Sequence, residues 1–138
     1  IQNPKLYGAS IIDRPALDMI RYGEFTTAKS WIDEFGDVNK KNEFMALRSY
    51  SPYHNINQDV CYPPILVMVG DKDEVTPPLH SYKFTSKLQS NNKCKNPFLL
   101  KMMWGSGHNF GSTISQRTDS RTDQMAFIIK SLDLTFKK

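Results

Sequence analysis

The run "PILVMV" (64–69) has no polar residue on either of the two faces that a strand presents. Only a strand covered on both sides tolerates that pattern, which is the situation of interior strands in parallel sheets. The run ends abruptly: "GDKDEVTPP" sets Asp71, Asp73 and Glu74 directly behind it. Two other stretches fit beside it as strands, "YGASII" (7–12), bounded by "NP" and "DRP", and "PFLLKMMW" (97–104). Between the second and third strands, "PPLHSYKFTSKLQS" opens on proline and carries Leu79, Tyr82, Phe84 and Leu88 near helical spacing. "RTDQMAFIIKSL" reads as a closing helix, and "NKKNEFMALRSY" as a short one stopped at "SP". The rest of the polar, aromatic-dotted stretch around the short helix is expected to be an irregular excursion over a sheet edge.

This alternation predicts an α/β fold, a mostly parallel sheet flanked by helices, and 138 residues suffice for one domain over 1–138. Right-handed crossovers place the C-terminal ends of such strands on one edge, where ligands of these folds gather. The net charge of +4 comes from scattered lysines with short clusters at "NKKN", "NNKCK" and "FKK", which argues against a nucleic-acid partner. No apolar run reaches the length of a membrane span, and no signal peptide is expected from these residues. Cys61 and Cys94 lie far apart beside loops, and their spacing makes neither a disulfide framework nor a metal-ligand pattern. Free thiols in a reduced, cytoplasmic setting are therefore expected, with no metal and no cofactor.

Asp71, Asp73 and Glu74 end one strand and His108, in "GSGHNFG", ends the next, so the topology brings an acid and an imidazole to one edge. An Asp that accepts the Nδ1–H of a His is the orienting half of a hydrolase triad, and in α/β-hydrolases the chain order is Ser, then Asp or Glu, then His. Asp73 before His108 obeys that order. The blander reading of Asp73 is a cap on the helix that starts near Pro77. His54 reads as a structural loop residue and His80 as a helix-surface residue. No G-x-S-x-G occurs; Ser106 sits on the same loop as the candidate base, and Ser10 sits inside a strand. A nucleophile is expected upstream of Ile1.

"SWIDEFGD", "YSPYHNI", "YPPILVMVGDKDEVTPPLHSYKF" and "GSGHNFG" resemble, in order and spacing, the C-terminal part of the catalytic domain of prolyl oligopeptidases, serine peptidases that cut after proline. The similarity runs from about Asn3 to Leu132. It implies the C-terminal portion of an α/β-hydrolase domain, incomplete without upstream strands, with the nucleophile elbow and the β-propeller outside these residues. It further implies Asp73 and His108 as the catalytic Asp and His, and Trp31 as the indole on which the substrate's proline ring stacks. Phe35 falls where a tyrosine is often found at that pocket. Val75 falls where the family usually has an arginine that holds a substrate carbonyl, and a valine cannot donate that bond. Read without the resemblance, Trp31 and Phe35 are ordinary packing aromatics. The implied partners are short proline-containing peptides and the N-terminal part of the same enzyme; the fragment alone is expected to be inactive. The alternatives are a dipeptidyl- or basic-residue-specific peptidase of the same family, and a non-catalytic fragment or interaction module.

Overall fold

A computed structural model describes residues 1–90, 93–108 and 112–135, with the side chain of Thr26 set aside. Three strands, β1 (Ser10–Asp13), β2 (Ile65–Gly70) and β3 (Phe98–Met103), lie parallel in the order β1-β2-β3. Ser10 pairs with Ile65, and Ile65 with Phe98, so the strands start level and their C-terminal ends share one edge. Every residue of β2 is buried, as an apolar run without polar interruption requires. Successive side chains point to opposite faces. Ile65 and Val67 pack with Phe84 and Leu88, whereas Leu66 and Met68 pack with Phe127.

Those contacts place α3 (Pro78–Ser90) on one face and α4 (Ile114–Ser131) on the other. This is the α/β layering expected. In α3 the inward stripe is His80, Ser81, Phe84, Thr85 and Leu88, and the expected apolar positions Leu79 and Tyr82 face outward. Phe84 and Leu88 fix the stripe, and residues three and four apart follow them inward whatever their polarity. His80 is therefore not a surface residue. It is 2% exposed, its Nδ1 accepts the backbone N–H of Asp18 at 3.1 Å, and its ring meets Phe25 edge-on at 5.4 Å.

Helix α4 begins well before Arg121. Thr113 caps it by accepting from Gln116 N, and the Gln116 side chain accepts from Thr113 N, a reciprocal capping box readable in "TISQ". The excursion between β1 and β2 holds 3-10 turns at Tyr22–Glu24 and Thr26–Trp31, α1 (Ile32–Phe35) and α2 (Lys41–Tyr50). It is less irregular than expected, because Met19, Tyr22, Ala28 and Leu47 form a small core of their own, packed by Trp31, Ile32 and Val38.

The cysteines correct the expectation of free thiols: Cys61 and Cys94 are joined in a disulfide. Their loops precede the neighbouring strands β2 and β3, so a separation of 33 residues in sequence closes to a bond in space. Among the described residues no helix is long and apolar enough to cross a membrane.

Candidate active site

The loops after β2 and β3 are stitched together before any catalytic group is reached. Asp71 accepts Ser106 N at 3.1 Å through Oδ1 and donates its own N–H to Met103 O at 3.2 Å; Lys72 N donates to Ser106 O at 3.1 Å. Gly70 makes this crossing possible, since a Cβ there would lie 2.1 Å from Ser106 O and 2.9 Å from Gly107 O. The second loop turns at Gly105, whose φ of 74° is open to glycine at little cost.

Asp73 is 3% exposed and fully engaged. Its Oδ1 accepts Val75 N at 3.0 Å and Thr76 N at 2.8 Å, and its Oδ2 lies 2.9 Å from His108 Nδ1. Asp73 therefore closes a turn in the loop before α3 and does not cap that helix, while both its oxygens face His108 Nδ1, Oδ1 at 3.1 Å and Oδ2 closer. A carboxylate on that side assigns the imidazole proton to Nδ1 and leaves Nε2 as the basic nitrogen. Among the described residues no hydrogen bond reaches Nε2. The ring, its side chain 24% exposed, borders a groove of about 590 Å³ lined also by Arg14, Trp104, Ser106, Ser112 and Gln116. Ser106 is sealed, its hydroxyl 2.5 Å from that of Ser112.

Trp31 and Phe35 meet edge-on at 6.1 Å, and Phe35 meets Tyr22 at 5.7 Å. Both belong to the excursion; neither lines the groove beside His108, and neither shares a ring contact with it among the described residues. Val75 offers only its backbone N–H, which is spent on Asp73. Glu74 is exposed.

A second Asp–His–hydroxyl set lies between the excursion and α3. Asp18, 1% exposed, pairs through Oδ2 with Lys83 Nζ, accepts Ile20 N and Arg21 N at 3.2 Å through Oδ1, and lies 3.7 Å from His54 Nδ1. Ser51 Oγ is 2.9 Å from that same nitrogen and accepts Met19 N at 3.0 Å. Burial pushes the Asp18 carboxyl up, but the Lys83 ammonium bonded to it, with His54 behind, more than offsets this and holds it below the ordinary range. Burial holds both His54 and His80 below the ordinary histidine value, against the pull of Asp18. Among the described residues no cluster of three His, Cys, Asp or Glu side chains is arranged to hold a metal ion.

Two residues at the first site were not singled out from sequence: Thr76, which contacts both Asp73 and His108, and Arg14 at the end of β1. The Asp-x-x-Thr spacing in "DEVT" is the available signal for Thr76, because an Asp side chain commonly binds the N–H two or three residues on. Nothing in "DRP" marks Arg14.

The family model described as the prolyl oligopeptidase family, Peptidase_S9, matches residues 1–135. The chain belongs to the prolyl oligopeptidase family. A prolyl endopeptidase of Elizabethkingia meningoseptica is 34% identical over 141 residues, covering 94% of this chain and 20% of that protein. A structure from a study of two prolyl endopeptidases superposes with a TM-score of 0.94 at 35% identity, over 97% of this chain and 20% of the other. A post-proline cleaving enzyme from Rickettsia typhi gives 0.87 at 29% identity, over 98% of this chain and 19% of the other. The chain thus spans about a fifth of the length of the prolyl oligopeptidase relatives it matches. Its three parallel strands and flanking helices are the corresponding part of their α/β-hydrolase fold.

Proposed function

We propose that this chain is the C-terminal portion of a peptidase catalytic domain and supplies the orienting Asp and the general base of a serine peptidase that cuts short peptides after proline. The observation that carries the reading is the bond from His108 Nδ1 to the buried Asp73 carboxylate, with the same ring on the wall of an open groove. Membership of the prolyl oligopeptidase family and the names of the relatives support the substrate class.

In this reading a serine from a segment outside these residues attacks the carbonyl carbon that follows the proline ring. His108 Nε2 takes the serine proton as the C–O bond forms, and passes it to the leaving amine nitrogen as the C–N bond breaks. Water then repeats the cycle on the acyl-enzyme. Asp73 holds the tautomer and balances the imidazolium that forms between the two transfers; its buried, doubly bonded carboxylate is prepared for that charge. Trp31, with Phe35 beside it, offers an aromatic face for the proline ring, and Val75 leaves the substrate backbone without an arginine donor at that point. The outer edge of β1, unpaired among the described residues, is where the N-terminal part of the enzyme would add its strands.

The test is hydrolysis of a chromogenic peptide with proline before the scissile bond, measured on the whole enzyme. Asp73→Asn and His108→Ala are each expected to lower kcat by about 10⁴. Full activity in His108→Ala would remove His108 from the mechanism, and equal cleavage after lysine would remove the proline preference.

A further inference from the structure

We propose that Arg14 and Thr76 are positioning residues for the Asp73–His108 pair, joining the end of β1 to both loops that carry it. Resting on the reading of that pair as orienting carboxylate and general base, this adds two residues that act through Asp73 and His108.

Thr76 is 5% exposed and meets three groups with one hydroxyl: Arg14 O at 2.9 Å, His108 Nδ1 at 3.1 Å and Asp73 Oδ2 at 3.2 Å. Arg14 O and the Asp73 carboxylate both only accept, so the single hydroxyl proton goes to one of them, and the contact to Arg14 O is the shorter. The oxygen's lone pair is then turned towards the Nδ1–H of His108, which it shares with Asp73. The backbone N–H of Thr76 donates to the other oxygen of Asp73. A single residue thus fixes the carboxylate and the ring against each other and refers both to β1.

Arg14 does the same from the other side. Its N–H donates to Met68 O in β2 at 2.7 Å, its carbonyl receives Thr76, and its Nε donates to Gly107 O, the residue before His108, at 3.2 Å. Three strand ends meet at this one residue. Its φ of 47° lies in the left-handed region, which a non-glycine residue seldom occupies. Such a conformation persists where surrounding bonds over-determine it, and here backbone and guanidinium both do.

A merely structural role would lower stability and leave turnover per folded molecule alone; a positioning role lowers kcat with KM unchanged, because His108 acts in the chemical step. In the whole enzyme, Thr76→Val is expected to lower kcat about tenfold with KM within twofold, and Thr76→Ser to restore kcat to within threefold of wild type. Arg14→Ala, which removes the guanidinium's bonds to Gly107, Asp13 and Met103 but keeps the backbone ones, is expected to lower kcat about threefold. Arg14→Gly should lose as much kcat while melting no earlier than Arg14→Ala, since the glycine relieves the left-handed backbone. Wild-type kcat in Thr76→Val with His108→Ala inactive would overturn this proposal and leave the acid–base reading intact. Should Thr76→Val fail to fold, wild-type kcat in Arg14→Ala overturns it equally. Activity surviving in His108→Ala would defeat both.

Discussion

The molecule contains two sets of aspartate, histidine and hydroxyl, and they differ in one respect that decides their chemistry. At the sheet edge Asp73 and Thr76 both lie on the Nδ1 side of His108, and the residue lines a groove. Beside α3, Ser51 and Asp18 also crowd a single nitrogen of His54, but Ser51 is completely buried and its oxygen already holds Met19 N. A relay needs the acid on one ring nitrogen and the nucleophile on the other. In both sets acid and hydroxyl share one ring nitrogen, so proximity of the three residue types is no evidence of a triad; the difference is that Asp73 bonds His108 Nδ1 at 2.9 Å, whereas Asp18 stands 3.7 Å from His54 Nδ1 and is bonded to Lys83. The second set does a different task, tying the excursion to α3 through the Asp18–Lys83 pair and the bond from Asp18 N to His80.

The largest effect that separates the two is on turnover. Ser51→Ala and His54→Gln are expected to leave the kcat of the whole enzyme within about threefold, against the loss of about 10⁴ for His108→Ala; a comparable loss in Ser51→Ala would erase the distinction. On stability the order reverses. Lys83→Met strands the buried Asp18 carboxylate and should destabilise the protein by about 3 kcal/mol in urea titration, whereas Lys83→Met with Asp18→Asn should recover most of it. Gly70→Ala drives a methyl into the backbone of Ser106 and should cost about 2 kcal/mol, with a kcat loss larger than that stability loss accounts for, because the loop that moves carries His108.

The smallest effect is on pH dependence. His54 and His80 stay neutral in the folded protein below their ordinary value of 6.5, so between that pH and their lowered values the unfolded chain binds more protons. Stability should be flat above about pH 6.5 and fall as the solution is acidified below it. The urea midpoint measured at neutral pH and two pH units lower checks this, with His80→Gln flattening the slope. Asp18, held low, acts only in stronger acid: its contribution is complete above its ordinary 3.8 and is lost as pH falls through its lowered value.

How much of this was legible in the sequence depends on how local each cause is. Strand β2 could be read because an apolar run with no polar face has one comfortable environment. The meeting of Asp73 with His108 could be read because parallel topology alone brings consecutive strand ends together. The burial of His80 could not, since it depends on Phe84 and Leu88 choosing the helix face. The bond between Cys61 and Cys94 could not either, because only the level start of β2 and β3 makes them neighbours. Thr76 and Arg14 look like any loop residues until three strand ends converge on them. The capping box of α4 was present in "TISQ", and its start could have been placed there.

The disulfide has one more consequence. It closes a covalent ring that holds β2, Asp73 and the whole of α3. A protease that nicks the backbone anywhere inside that ring yields two pieces still carried on a single molecule. On a gel without reductant such a nicked chain would migrate as one band, and only a thiol would set the halves free.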